Sequence, residues 1–376
     1  MKRATVVHLS TVHHPRDIRI FHKEARTLQQ AGYSVEIVAP GERDEVIEGI
    51  QIRALKGPNR GIRRFTQTNR EAWRRACAYP QDVIFHLHDP ELLFVGFALK
   101  RRGYRVIYDV HEDTPLWLLY QHWIPRLARR PLSRLFAYLE QRAVARLDGI
   151  VVATEPIQKR LRSPRTIVVR NLPLRAEFAT DAGMPYAARA PLVVYVGTLT
   201  RLRGIQEMIQ AVALLNEQGC PVTLHLGGAF HPPTLQQEME RLPGWQYVRY
   251  AGWQTREAVQ QVLHRARVGL ALIHPGKHYS HAYPTKLFEY MAAGIPVVAS
   301  DLPLIREIVA PAEAGILVDP RDVRAIAEAI RWLLEHPGEA QAMGQRGRRL
   351  FLTSLHWERE AAKLLALYER VASPQS

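Results

Sequence analysis

Two cysteines in 376 residues, Cys77 and Cys220, can make at most one bridge, which excludes a disulfide scaffold and any cysteine-based zinc cluster. No run of about 20 apolar residues occurs, so no membrane-spanning helix is expected. The opening stretch MKRATVVHLSTVHH passes from two basic residues straight into a strand-like run, without the apolar centre of a signal peptide. Internal repeats and low-complexity tracts are absent, and no glycine-rich fingerprint follows the first apolar run. What remains is a cytoplasmic globular chain of two or three compact units.

Positive charge is what the chain has in excess. Lys+Arg number 51 against 36 Asp+Glu, a net of +15. The first 175 residues hold 31 of the basic and 17 of the acidic groups, a net of +14, and residues 176–376 hold 20 and 19, a net of +1. A basic half joined to a neutral half fits a polyanionic partner, either an anionic membrane surface or nucleic acid. An arginine-rich or heat-adapted surface would give the same count.

Short β-rich runs alternate with amphipathic helix-length segments, the pattern of parallel sheets covered by helices. The first half carries strands at Thr5–Ser10, Val35–Ala39, Ile50–Ala54, Val83–His88, Val106–Val110, Gly149–Thr154 and Thr166–Val169. The second carries Leu192–Gly197, Val222–Gly227, Tyr247–Ala251, Val268–Ile273, Pro296–Ser300 and Gly315–Val318. Helices are expected at Ile20–Ala31, Phe65–Cys77, Ile205–Glu217, Arg256–Arg265, Lys286–Ala293 and Val323–Glu335. The aperiodic segment 173–190 reads as a linker between an N-terminal domain over 1–172 and a C-terminal one over 191–352. A last helix within 353–376 either returns to the first domain or packs on the second. Two doubly wound halves would place ligands beyond their C-terminal strand ends, facing a central cleft.

Five segments carry candidate chemistry. In PTKLFEYMAAGIPVVASD a helix beginning near Thr285 points unpaired N–H groups at a ligand, and Lys286 in its first turn has the wrong sign for the helix dipole unless an anion sits nearby. Glu289, one turn on, suits a ligand diol. In YVGTLTRLRGI, Gly197 permits close backbone approach and Arg201 or Arg203 can grip phosphate oxygens. VIYDVHED ends a strand on His111, fit to bond a sugar hydroxyl or to move a proton. VIFHLHDPE places His86 and His88 on one strand face, followed by Asp89 and Glu91, a His-x-His with carboxylates that could bind a metal, with no confirmed third ligand in the sequence. The loop after the first strand offers His14, Asp17 and Arg19 for an acceptor or a phosphate.

In this order, HHPRDIRIFHKEARTLQQAGYSVEIVAP, HLHDPELLFVGFALKRRGYRVIYDVHED, YVGTLTRLRGI and PTKLFEYMAAGIPVVASD resemble family 4 glycosyltransferases of the GT-B fold, in particular those building bacterial envelope or capsular polysaccharides. The resemblance spans nearly the whole chain. It implies transfer of a sugar from a nucleotide diphosphate sugar, UDP- or GDP-linked, with retention of configuration and without metal or other cofactor. It implies Glu289 on the ribose, Arg203 on the diphosphate with Lys286 assisting, His111 on the transferred sugar, and Gly252-Trp253 beside the base. Two positions depart from the pattern: His281 stands where the family has its first glutamate, and Thr198 where a basic residue usually follows the glycine.

The basic half has a second feature. Residues 115–146 mix Trp117, Leu118, Leu119, Trp123 and Phe136 with Arg126, Arg129, Arg130 and Arg134, which suits a membrane interface and a lipid-linked acceptor on the cytoplasmic face of the inner membrane. Core aromatics with solvated arginines are the alternative. Two rival functions stay open: a GT-B epimerase acting on a nucleotide sugar, and a nucleic-acid-binding protein, for which no recognised motif is present. An inverting transferase would need a side-chain base, with His14 or Asp17 the first candidates.

Overall fold

The computed structural model describes residues 3–57, 64–121, 123–178, 184–276 and 283–373. The chain forms two compact units, Met1–Asn171 with Trp357–Ser376, and Leu172–His356.

The first unit holds an eight-stranded sheet of β1 (Thr5–Leu9), β2 (Ser34–Pro40), β3 (Glu45–Ile47), β4 (Ile50–Leu55), β5 (Ile84–Leu87), β6 (Arg105–Val110), β7 (Gly149–Val152) and β8 (Thr166–Val168). Its order is β3-β4-β2-β1-β5-β6-β7-β8. Every pairing is parallel except that of β3 with β4. Side chains alternate between faces, so Val7 and Leu9, Phe85 and Leu87, and Val106, Tyr108 and Val110 share one apolar core. The opposite face of the same strands carries His8, His86 and Asp109, with His8 beside His86 across the β1–β5 pairing.

That second face is covered by two helical segments. Asp17 caps the first by accepting the backbone N–H groups of Arg19 and Ile20. Ile18–Ala25 winds as a π-helix and continues as an α-helix over Arg26–Gln30. The segment buries Ile20, Phe21 and Leu28, as its periodicity predicts, and it also buries Arg19, Lys23 and Glu24. The second is the C-terminal helix Trp357–Ala372. Its Trp357 indole donates to Thr27 Oγ1 at 2.9 Å, its Tyr368 hydroxyl meets His86 Nδ1 at 2.8 Å, and Leu367 lies over Gly149.

The second unit is a six-stranded parallel sheet of β9 (Leu192–Val196), β10 (Thr223–Gly227), β11 (Val248–Gly252), β12 (Val268–Ala271), β13 (Val297–Ser300) and β14 (Gly315–Val318), in the order β11-β10-β9-β12-β13-β14. Val193 and Tyr195 face one core and Val194 the other, so helices seal both faces. Strand order reverses between β9 and β12, the topological switch point at which doubly wound sheets receive ligands.

All thirteen expected strands are present, and the helices Ile205–Glu217, Arg256–Arg265 and Val323–Glu335 have the expected bounds. The expected linker over 173–190 is a correction. Phe178 and Tyr186 are buried in the two cores of the second unit, so much of the segment belongs to that unit. Apolar burial of two aromatic rings outweighs the turn-rich composition around them.

Candidate active site

At the switch point of the second unit, β9 ends on Gly197, whose φ of +144° few side-chain-bearing residues adopt. A Cβ there would lie 2.6 Å from the Lys286 amine and 2.9 Å from its Cε, so the glycine makes room for the lysine. Lys286 stands in the first turn of the helix Thr285–Ala292, buried, with Nζ 5.0 Å from the centre of the Tyr195 ring. Burial first, and then the neighbouring charge of Arg203, push its amine down to about 7, while Glu289 works in the other direction. A lysine held near neutrality becomes an ammonium when an anion arrives.

Arg203 ends a 3-10 turn over Arg201–Arg203. Gly204 follows with φ +67° and packs against Leu272, where a Cβ would lie 2.9 Å from the leucine Cβ. The helix Ile205–Glu217 starts there. Neither it nor the helix Thr285–Ala292 has a side-chain cap among the described residues. Two open helix N-termini beside Lys286 and Arg203 make a place whose chemistry suits an anion.

Glu289 lies one turn beyond Lys286 and is half-buried. Its Oε1 accepts from Arg256 Nη1 at 2.7 Å, and Arg256 also pairs with Glu177. Among the described residues Oε2 of Glu289 accepts no hydrogen bond, which leaves it for a ligand hydroxyl. Arg256 has no sequence motif to announce it, because it reaches Glu289 from a helix 33 residues earlier.

Not every expected residue joins this group. Arg201 turns away onto Glu238 and Gln206, because an exposed carboxylate lies within reach and the lysine does not need a third cation beside it. Trp253 follows Gly252 at the end of β11 and is 78% exposed. His281 lies outside the described residues.

The first unit gathers a different set at its own switch point, between β1 and β5. Asp89 accepts from Ser10 Oγ at 2.8 Å and from the Thr11 N–H at 2.6 Å, tying the ends of the two strands together. His111 Nε2 is 2.9 Å from Asp109 Oδ2 and 3.2 Å from His88 Nδ1. Burial opposes the charge of Asp109, but the Arg19 guanidinium, bonded to both its oxygens at 2.9 and 3.0 Å, and His111 hold it well below the usual carboxylate range. An ionised carboxylate only accepts, so His111 carries its hydrogen on Nε2 and presents Nδ1 as an acceptor.

Arg19 is therefore a second correction. It is buried, with its guanidinium spent on Asp109, Glu24 and the Val169 carbonyl, and takes no part in holding an acceptor. Nor does exposed His14 face the group; its Nδ1 accepts the Arg16 N–H. His13 does, with its ring centre 5.1 Å from that of His111 and Nε2 3.4 Å from Asp89. Asp17 keeps its capping role and lies 3.7 Å from His13, its carboxyl driven far down: burial opposes this, and His13 and the backbone N–H groups of Ile20 and Arg19 outweigh it.

Behind His111 lies a sealed polar cluster of His8, Glu24, His86 and His88, all fully buried. A sequence cue existed. Each of the three central strands places one polar side chain at the position facing the same way, in TVVHL, VIFHL and VIYDV.

Comparison with known proteins agrees with the two-unit division. Residues 19–171 match the family model "Glycosyltransferase Family 4" and residues 185–350 match "Glycosyl transferases group 1". The chain is a GT-B glycosyltransferase of family 4. It is 24% identical over 296 residues to the MMP alpha-(1->4)-mannosyltransferase of Mycolicibacterium hassiacum, covering 76% of this chain and 70% of that one. It is 28% identical over 195 residues to the glycogen synthase of Mycobacterium tuberculosis, where the match spans 50% of this chain and 45% of the relative, about half of its length. Among solved structures, sucrose-phosphate synthase of Thermosynechococcus elongatus shares the fold at a TM-score of 0.75 and 22% identity, covering 98% of this chain and 99% of that one. Anabaena HepE in complex with UDP-glucose does so at 0.70 and 14%, covering 96% and 99%.

Proposed function

We propose that this enzyme transfers a sugar, with retention, from a UDP- or GDP-linked donor to a lipid-linked saccharide at an anionic membrane surface, in the building of an envelope polysaccharide. The observation that carries the donor assignment is the buried Lys286 amine against Gly197, at the β9–β12 switch point and between two open helix N-termini. A diphosphate leaving group develops charge there as the glycosidic bond to the donor breaks, and Lys286, Arg203 and the backbone N–H groups stabilise it. The departing phosphate oxygen takes the proton of the attacking acceptor hydroxyl, so no side-chain base and no metal are required. His111, with Nδ1 as acceptor, suits a hydroxyl of the transferred sugar, and Glu289 suits the ribose. HepE, of the same fold, holds UDP-glucose.

The acceptor assignment rests on the helix Arg126–Val144. Leu127, which is 94% exposed, Leu135 and Tyr138 form an outward apolar stripe, and Trp117, Tyr120 and Trp123 are exposed just before it. Arg126, Arg130, Arg134 and Arg142 are exposed on the same helix. Rings and leucines flanked by guanidinium groups match the headgroup region of an anionic bilayer. No helix among the described residues is long and apolar enough to cross a membrane.

Thermal shifts with UDP, GDP, ADP and dTDP test the donor site. One nucleotide is expected to stabilise the wild type and to lose its effect in Glu289→Ala. Incubation with the matching nucleotide sugar and lipid extract, read by the anomeric coupling of the product, then tests retention. Isomerised donor in the absence of any acceptor would instead identify an epimerase.

A further inference from the structure

The His-x-His pair at the end of β5 lacks a confirmed third ligand in sequence, and the fold supplies a third and a fourth. His8 arrives beside His86 from β1, and Glu24 from the π-helical turn that covers this face. Each of His8, His86, His88 and Glu24 offers one ligand atom, and the four atoms lie within 4.8 Å of one another. Glu24 Oε2 lies 3.9 Å from His8 Nδ1, 3.7 Å from His86 Nδ1 and 4.0 Å from His88 Nε2, and His8 Nδ1 lies 2.8 Å from His88 Nε2. A tetrahedral ion with bonds of about 2.0–2.1 Å separates its ligand atoms by roughly 3.4 Å, so shifts on the order of half an ångström complete the site.

Hydrogen bonding within the protein leaves this cluster incomplete. Glu24 has no aligned donor on either oxygen, although Arg19 Nε is 2.9 Å from Oε1, because that N–H points to Asp109. His8 Nε2 and His86 Nε2 also have no partner, and His86 Nδ1 meets only the Tyr368 hydroxyl at 2.8 Å, which must turn its hydrogen away for that nitrogen to ligate.

We propose that His8, Glu24, His86 and His88 bind one divalent transition-metal ion, zinc by the chemistry of three imidazoles and a carboxylate, as a structural pin of the first unit. Glu24 ligates as a carboxylate, any proton on it leaving to solvent, and the hydrogen between His8 Nδ1 and His88 Nε2 moves to the other nitrogen of the ring that carries it. His88 then carries its hydrogen on Nδ1, 3.5 Å from Asp109 Oδ2, the carboxylate-to-histidine support that metal-bound imidazoles usually have. The site is closed, with every ligand buried, so the ion has no open position for substrate and takes no part in sugar transfer. It is fixed as the unit folds.

Elemental analysis of the purified full chain is expected to find about one zinc per chain that survives dialysis. Chain stripped by chelator in mild denaturant and refolded with zinc chloride is expected to gain at least about 5 °C in Tm over chain refolded without metal. Refolding with cobalt(II) is expected to give the intense visible bands of a four-coordinate site. Glu24→Gln and His86→Gln should lower metal content by about tenfold or more, whereas His111→Gln keeps it. The proposal is overturned if the wild type takes up less than about 0.1 equivalent of zinc, cobalt, nickel or manganese with no change in Tm. It is also overturned if His111→Gln alone loses the ion, which would place it among His88, Asp109 and His111 instead. The cobalt spectrum of the wild type decides the matter even where a variant does not fold.

Discussion

The two units share one kernel, a central strand with its neighbours wound outward in both directions, yet their switch points have opposite characters. In the second unit Gly197 and Gly204 thin the backbone, and among the described residues two helices begin without side-chain caps and Lys286 makes no salt bridge. In the first unit the corresponding helix is capped by Asp17, and the space behind the strands is filled by His8, His86, His88, Asp109, Glu24 and Arg19. The same topology thus yields an open anion site or a closed polar core. What decides is whether small residues or long polar ones occupy the strand ends and the first helical turn.

The contrast breaks most severely at Gly228. A Cβ there would collide with the Gly197 carbonyl oxygen, at a φ of +130° that side chains rarely adopt. Gly228→Ala is expected to cost about 3 kcal/mol or more of stability, measured by urea unfolding. The proposed donor site would be lost with it.

Lys286→Met comes next. Loss of a charge-assisted contact worth about 1.5–3 kcal/mol should weaken UDP or GDP binding by roughly 10- to 150-fold by calorimetry. The ligand-free protein should be as stable as wild type or more so, because a buried amine is removed. The pH dependence sharpens this. With a folded value of about 7 and an ordinary value of 10.5, the unfolded chain binds the extra proton between these limits. The cost of charging Lys286 is therefore full below pH 7, and stability rises with pH from about 7 towards 10.5, a slope that Lys286→Met should flatten. Nucleotide binding at pH 8 should take up a proton in the wild type and not in the variant.

A smaller effect is expected from Arg256→Ala, which leaves Glu289 without its partner. Affinity for UDP or GDP should fall by about tenfold, while that for inorganic pyrophosphate, which has no ribose, stays within about twofold. Equal losses for both would remove Glu289 from the ribose. Least of all in stability terms, Leu127→Asp with Leu135→Asp should leave Tm within about 2 °C, since both side chains are exposed. Sedimentation with phosphatidylglycerol vesicles should fall several-fold.

Much of the architecture was legible because strands buried on both faces read as short apolar runs. The missing strand β3, Glu45–Ile47, is three residues long and lies at the sheet edge, too short for alternation to register. Gly197, Lys286 and Glu289 were legible because they punctuate a strand end and a helix start. Arg256 and His13 were not, since each acts on a group brought to it by tertiary folding. Arg19 read as an acceptor contact, and nothing in the sequence marked Lys23 and Glu24 as buried. They are buried because the wider π-helical turn faces the polar side of the sheet, where Asp109, Asn171 and the histidines receive them.

The C-terminal helix sets a schedule for synthesis. Trp357, Leu367 and Tyr368 complete the first unit, yet they leave the ribosome only after all of Leu172–His356 has been made. At about 5–20 residues per second, that is an interval on the order of 10–40 s. Through it the nascent first unit waits with the Gly149 edge and the His86 side chain uncovered. Chains cut short before Trp357 would carry a finished second unit and an unfinished first, so the first unit is completed only by residues made after the second.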